Sequence, residues 1–254
     1  MDVLFDPFGA RWSEVRDAAL ATADAGLDGV WVYDHLAGSV HGAPHVLECW
    51  TVLAAIAARV PTIALGSLVL NVANRAPGLV AVMAATLQEV SGGRLLLGLG
   101  AGAGRGTPYA AEQVALGRDV AGDASRRRDV EAAVATIRAA WTGRMGGASG
   151  FLRPDPAPPI VLGGFGPKMA ALAGSAADGV NLPGGPHLGD LLSVARRARD
   201  ASSRAGHPFL VTASAPPSPR QLQALRELGV DRAIVYAAPP YLDDIGRLAA
   251  LVRS

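Results

Sequence analysis

The chain has one cysteine and one lysine in 254 residues. The lone thiol, Cys49, cannot close an intrachain disulfide, and its place in an apolar helical pattern beside Trp50 reads as a buried, inert group rather than a nucleophile. A reducing, cytoplasmic setting fits that reading. An excess of one charge is also missing: 23 basic against 22 acidic residues leave +1, and the arginines gather only in short groups such as Arg126-Arg127-Arg128. That pattern offers no stripe to a nucleic-acid backbone. No run spans a bilayer, because the longest uncharged stretches, 60–74 and 205–219, are short and broken by proline and glycine. Met1-Asp2-Val3 lacks the basic start of a secretory signal, so the expectation is a soluble protein with no membrane partner.

Half of the residues are hydrophobic and the mean hydropathy is +0.27, enough for a large core. Apolar runs alternate with helical spacing from end to end. The runs are 3–5, 29–33, 62–69, 94–99, 159–162, 179–182, 208–212 and 232–236; the helical segments are 12–25, 48–59, 77–90, 125–141, 167–176, 188–205, 219–228 and 240–252. Near-continuous apolar strands are those of a parallel sheet, and eight strand-helix units predict one α/β domain over 1–254, a closed (β/α)8 TIM-like barrel. An open doubly wound sheet is the alternative. No linker or low-complexity break divides the chain, and 143–159 is its loosest stretch.

In such a barrel the chemistry sits at the C-terminal ends of the strands. The positions nominated are Asp6 and Phe8, Asp34 and His35, Leu68 to Asn71, Gly100 to Arg105, Gly163 to Lys168, Asn181, Ser214 and Tyr236. Asp34-His35 is the acid/base candidate, since histidine titrates near neutrality and an adjacent carboxylate can hold its tautomer; a solvated loop histidine is the bland alternative. His41 and His45 follow closely, but no second cluster has metal-ligand spacing, and no metal is expected. The run GLGAGAGRG from Gly98 lacks GxGxxG spacing into a helix, which argues against a dinucleotide fingerprint. Its glycines suit close approach of a flat ligand or a tight connector, and Arg105 stands there to meet an anion.

Gly163-Gly164-Phe165-Gly166-Pro167-Lys168 runs from a strand through glycines into a proline-started helix, whose free N–H groups favour phosphate or carboxylate. The sole lysine opposes the helix dipole there unless an anion binds; an exposed rim lysine is the plain alternative. Ser13, Ser67 and Ser214 lie in no G-x-S-x-G elbow, so hydrolysis by a serine nucleophile has no support. Glu48 and Trp50 read first as a helix-start acid and a core aromatic.

Six stretches together resemble the luciferase-like monooxygenase family, in particular its oxidoreductases that use the deazaflavin coenzyme F420. They are AGLDGVWVYDHL (25–36), LECWTVLAAIAA (47–58), IALGSLVLNVANRAP (63–77), LQEVSGGRLLLGLGAG (87–102), PPIVLGGFGPKMAALAGSAADGV (158–180) and LGVDRAIVY (228–236). The resemblance implies a TIM-like barrel holding a flavin or deazaflavin at its C-terminal face. By it, Asp34 and His35 lie near the ring with His35 moving a proton, and a non-proline cis peptide falls at Leu68-Val69 behind the ring. Gly100, Ala101 and Gly102 form the ring-side wall, and Gly163, Gly164 and Gly166 bind the cofactor phosphate with Lys168 beside them. Two departures stand out: Ala103 replaces an acid that some deazaflavin dehydrogenases carry, and Ala101 replaces a phosphate-binding arginine of bacterial luciferase. The chain is also shorter than most members, and the family is often homodimeric. The expected function is hydride transfer between F420 and a small organic substrate. The alternatives are an FMN-dependent monooxygenase and a non-catalytic cofactor-binding member.

Overall fold

A computed structural model describes residues 1–253. Eight parallel strands, β1 (Asp2–Phe5), β2 (Gly29–Val32), β3 (Ala64–Ser67), β4 (Leu95–Gly100), β5 (Ile160–Gly163), β6 (Gly179–Leu182), β7 (Leu210–Ser214) and β8 (Arg232–Ala237), follow one another around a sheet. Asp2 pairs with Ile234 on one side and Gly29 on the other, so β8 returns to β1 and the barrel closes. An open sheet is ruled out by that pairing. Helices α1 (Trp12–Asp24), α2 (Cys49–Arg59), α3 (Pro77–Val90), α5 (Asp123–Ala140), α6 (Pro167–Ala176), α7 (Leu188–Asp200), α8 (Pro219–Glu227) and α9 (Leu242–Arg253) pack outside, and the short α4 (Ala110–Ala115) lies in the connection after β4.

The helices form where one face is apolar. In α1 the buried residues Val15, Ala18, Ala19 and Thr22 recur at helical spacing, and Glu14 accepts the Arg11 N–H at 2.7 Å to cap the first turn. The strands are buried on both faces, with helices outside and side chains filling the barrel. Leu4, Trp31 and Ile234 fill the interior, and Tyr33, Leu68 and Leu96 pack on them. Gly66 makes room for the indole: a Cβ there would lie 2.2 Å from a Trp31 ring carbon. Below, Asp2 accepts from Trp31 Nε1 at 2.7 Å and from Arg232 at 2.6 and 2.8 Å.

The expected strand 62–69 is shorter and interrupted. Gly66 pairs with Leu96 and Leu70 with Leu99, so three residues face two across a bulge that contains the cis peptide Leu68-Val69, and a short strand, Leu70–Asn71, resumes beyond it. The Ser67 hydroxyl accepts from Gly98 N at 3.0 Å and donates to Gly98 O at 2.9 Å, filling the gap in the ladder. Two further features were not expected. Helix α4 sits inside the glycine-rich connection, and a small antiparallel hairpin, Arg144–Met145 with Ala148–Ser149, occupies the loose stretch after α5.

Candidate active site

Asp34 and His35 follow β2 side by side in sequence and bond to different partners. The fully buried Asp34 carboxylate accepts two parallel bonds from Arg75, both 2.8 Å, and the Asn71 N–H at 2.9 Å. Arg75 also donates to Glu48 at 2.6 Å. Burial opposes the Arg75 charge, yet its hydrogen bonds to the Asp34 and Glu48 carboxylates outweigh it and raise its pKa. Burial also pushes Glu48 up, but bonds from Thr51, Trp50 and Arg75 hold its carboxyl below the usual range. One arginine thus ties the exits of β2 and β3 to the start of α2. Cys49 beside it is fully buried, and burial, with the charges of Asp34 and Glu48, pushes its thiol pKa well up.

The carboxylate that holds His35 is Glu112 of α4, not Asp34. Glu112 Oε2 lies 3.0 Å from His35 Nδ1, while Oε1 accepts the N–H groups of Leu36 and Ala37, each at 2.9 Å. Around the imidazole stand Phe8, Tyr109, Tyr33 and His41, with ring centroids 5.2, 5.1, 5.9 and 6.0 Å away. His41 bonds the Tyr109 hydroxyl at 3.3 Å and His45 the Ala10 carbonyl at 3.0 Å. Among the described residues no group of three or more His, Cys, Asp or Glu is arranged to hold a metal ion.

The bulge turns Val69 toward the glycines of β4 and β5. A Cβ at Gly100 would come 2.4 Å from Val69 Cγ2, and one at Gly163 would come 3.1 Å from it. These two glycines therefore make space for a valine. Gly102, with φ +69°, lies over the Asn71 side chain, 2.5 Å from where a Cβ would be. Arg126 from α5 donates to the carbonyl of Ala101 at 3.3 Å, to that of Gly102, and to Asp123 at 2.8 Å. Arg105 is turned away, its Nε bonded to the Val120 carbonyl at 2.6 Å.

At the exit of β5, Gly164 N donates to Asn181 O at 2.9 Å, and Gly166 caps α6 with Pro167 in its first turn. A Cβ on Gly166 would meet nothing within 4 Å, Lys168 is exposed, and Phe165 stands 88% exposed above the turn. Lys168 is near enough to help Arg126 and Arg127 hold the Asp123 carboxyl below its usual range. The open space, the first-turn N–H groups and the ammonium suit an anionic group. Across the mouth, Tyr236 donates to Asp6, whose other oxygen accepts Phe8 N at 2.9 Å; Tyr241 donates to the Asp6 carbonyl. Burial and then Asp6 raise the Tyr33 and Tyr236 pKa values. Asn181 donates to the Thr212 hydroxyl at 2.8 Å, and Ser214 is half-buried at the end of β7.

Asp34, Leu68, Val69 and Gly100 to Gly102 are joined through Asn71 and the bulge, and Gly163 meets them through Val69. Gly164, Gly166 and Lys168 form an adjoining patch. Sequence reasoning missed Arg75, Glu112 and Tyr109. Arg75 follows the nominated exit 68–71 by only four positions and so carried a weak signal; Glu112, 77 positions from His35, carried none.

A sequence model of the luciferase-like monooxygenase family matches residues 5–247. The chain belongs to that family. This family member is 30% identical over 210 residues to the F420-dependent glucose-6-phosphate dehydrogenase of Microbacterium testaceum, covering 74% of the chain and 61% of that relative. It is 33% identical over 178 residues to the enzyme of the same name from Nakamurella multipartita, covering 66% and 51%. The chain thus spans about half to three-fifths of the length of these curated relatives. Among solved structures, an F420-dependent secondary alcohol dehydrogenase in complex with an F420-acetone adduct superposes with a TM-score of 0.84 at 17% identity, over 100% of this chain and 98% of that one. The F420-dependent tetrahydromethanopterin reductase of Methanopyrus kandleri gives 0.78 at 16%, over 98% and 96%.

Proposed function

We propose that this chain is an oxidoreductase that passes a hydride between coenzyme F420 and a small organic substrate, with His35 moving the accompanying proton. The observation that carries the reading is the His35 imidazole. It is held by a buried carboxylate at one strand exit, beside the Leu68-Val69 bulge at the next. F420, when bound, supplies a ring carbon that accepts or gives a hydride. Leu68, Val69, Gly100, Ala101 and Gly102 would line the ring, with Asp34 fixing their loops through Asn71 and Arg75. Gly163, Gly164, Gly166 and Lys168 would hold the phosphate. The rings of Phe8, Tyr33 and Tyr109 flank the imidazole. The names of the curated relatives favour F420 over FMN, and Ala103 leaves the proton to His35 rather than to an acid after the glycines.

The test is a parallel titration of cofactor-free protein with F420 and FMN, followed by fluorescence and by thermal stabilisation. Selective F420 binding is the expected result. Selective FMN binding replaces the reading with a flavin monooxygenase, and binding of neither overturns it. His35→Ala is expected to lower turnover by about 10²–10⁴-fold with F420 affinity within a few-fold; unchanged turnover removes His35 from the chemistry. The reading includes a homodimer, supported by the outer face of α3, where Leu79, Val82 and Val90 are exposed, and read out by light scattering. It also includes a cytoplasmic location, which suits the buried reduced thiol of Cys49 and is read out by fractionation.

A further inference from the structure

We propose that Glu112 is the positioning residue that fixes His35 as its Nδ1–H tautomer, so that Nε2 is the nitrogen offered to the pocket. The argument is one of donors and acceptors. Oε1 of Glu112 already accepts two backbone N–H groups, from Leu36 and Ala37, and Oε2 faces Nδ1 at 3.0 Å. An ionised carboxylate only accepts, so the ring proton in that contact belongs to the imidazole and sits on Nδ1. Nε2 has no protein partner among the described residues and is not sealed from solvent.

The same three bonds fix the loop and the ring together. Glu112 is buried at 6% exposure, and its two oxygens span the backbone just after His35 and the His35 side chain itself. The imidazole cannot turn over without breaking the Nδ1 bond, and the ring contacts with Phe8 and Tyr109 hold its plane. Resting on the function proposed above, the geometry gives Nε2 one task. When a substrate C–H gives up its hydride to the coenzyme, the proton released from the adjoining O–H or N–H passes to the Nε2 lone pair; in the reverse direction Nε2–H returns it. Ala103 lacks an acid, and Glu112 acts from α4 through the ring rather than on the substrate.

The contact makes a specific demand on an isosteric change. In Glu112→Gln the amide oxygen must stay on the Leu36 and Ala37 N–H groups, which puts the amide NH₂ against Nδ1. The ring must then accept at Nδ1 and carry its proton on Nε2. The experiment is long-range ¹H–¹⁵N correlation spectroscopy of ¹⁵N-labelled, cofactor-free protein above the histidine titration range, with His35→Gln assigning one of the five histidines. Wild type is expected to show a protonated Nδ1 and an unprotonated Nε2, and Glu112→Gln the reverse. The same variant is expected to lose about a hundredfold in kcat with KM and F420 affinity within a few-fold. A wild-type Nε2–H tautomer overturns the proposal, as does an unchanged tautomer or an unchanged kcat in Glu112→Gln. If that variant does not fold, the wild-type spectrum alone decides. Failure to bind F420 appears only in the titration and leaves the tautomer result standing, so the two readings fail separately.

Discussion

The two ends of the barrel use the same chemistry for different purposes. At the closed end Arg232 grips Asp2 through two bonds of 2.6 and 2.8 Å, and at the open end Arg75 grips Asp34 through two bonds of 2.8 Å. Both carboxylates are fully buried. The third bond separates them. Asp2 takes it from the Trp31 indole, which fills the interior, so that pair ends in packing. Asp34 takes it from the backbone of Asn71, and Arg75 goes on to Glu48, so that pair ends in loops. One arginine-aspartate pair closes a core, and the other places the Leu68-Val69 bulge against β4.

The largest effect expected from this contrast is at the open end. Asp34→Ala leaves the Arg75 guanidinium buried with only Glu48 as a carboxylate partner, and breaking a buried pair from one side costs about 3–5 kcal/mol. For a chain of this size that corresponds to a fall in Tm on the order of 10 °C. Because the freed loops carry Asn71, Leu68 and Val69, F420 affinity should fall about tenfold with it. Denaturation and titration of the same preparation measure both. A loss of stability with full affinity would erase the difference between the two ends.

Asp2→Asn tests the closed end with a smaller change. The amide keeps an acceptor for Trp31 or Arg232 but not for both with charge, and a lost bond to a charged group costs about 1.5–3 kcal/mol. Stability should fall and F420 affinity should stay within twofold. A matching loss of affinity would mean that the interior transmits strain from Asp2 through Trp31 and Tyr33 to the mouth.

How much of this was legible in the sequence follows from the range of each interaction. The barrel was legible because its causes are local. Apolar runs such as GVWV alternate with segments whose buried residues recur at helical spacing, and eight such units close on themselves. The strand exits were legible for the same reason, since the fold itself places Asp34, His35, Gly100 and Gly163 at the mouth. The partners were not. Asp34 and His35 are adjacent, and adjacency suggested that one held the other; in the fold they bond instead to Arg75 and Glu112, which lie 41 and 77 positions away. Glu112 lies on a short helix within a glycine-rich connection that reads as plain loop, and nothing nearby in sequence ties it to a histidine far upstream. The glycines of β4 and β5 illustrate a subtler limit. A bare backbone reads as room for a ligand, and the sequence does not show that Val69 packs where a Cβ of Gly100 or Gly163 would lie.

The smallest expected effect lies at the exposed edge of the open end. Lys168 has solvent around it and makes no ion pair within 4 Å among the described residues, so Lys168→Ala should leave Tm unchanged. A cation in the first turn of α6 opposes the helix dipole, and its placement gains from an anion bound at Gly164 and Gly166. Removing it should therefore weaken F420 binding by about threefold at low salt, and the difference from wild type should shrink as salt screens the charge. Unlike the Asp34 change, this one separates affinity from stability completely. A threefold loss that salt does not alter would place the coenzyme's charge away from α6, leaving the β3 bulge and the β4 loop as the whole of its binding surface.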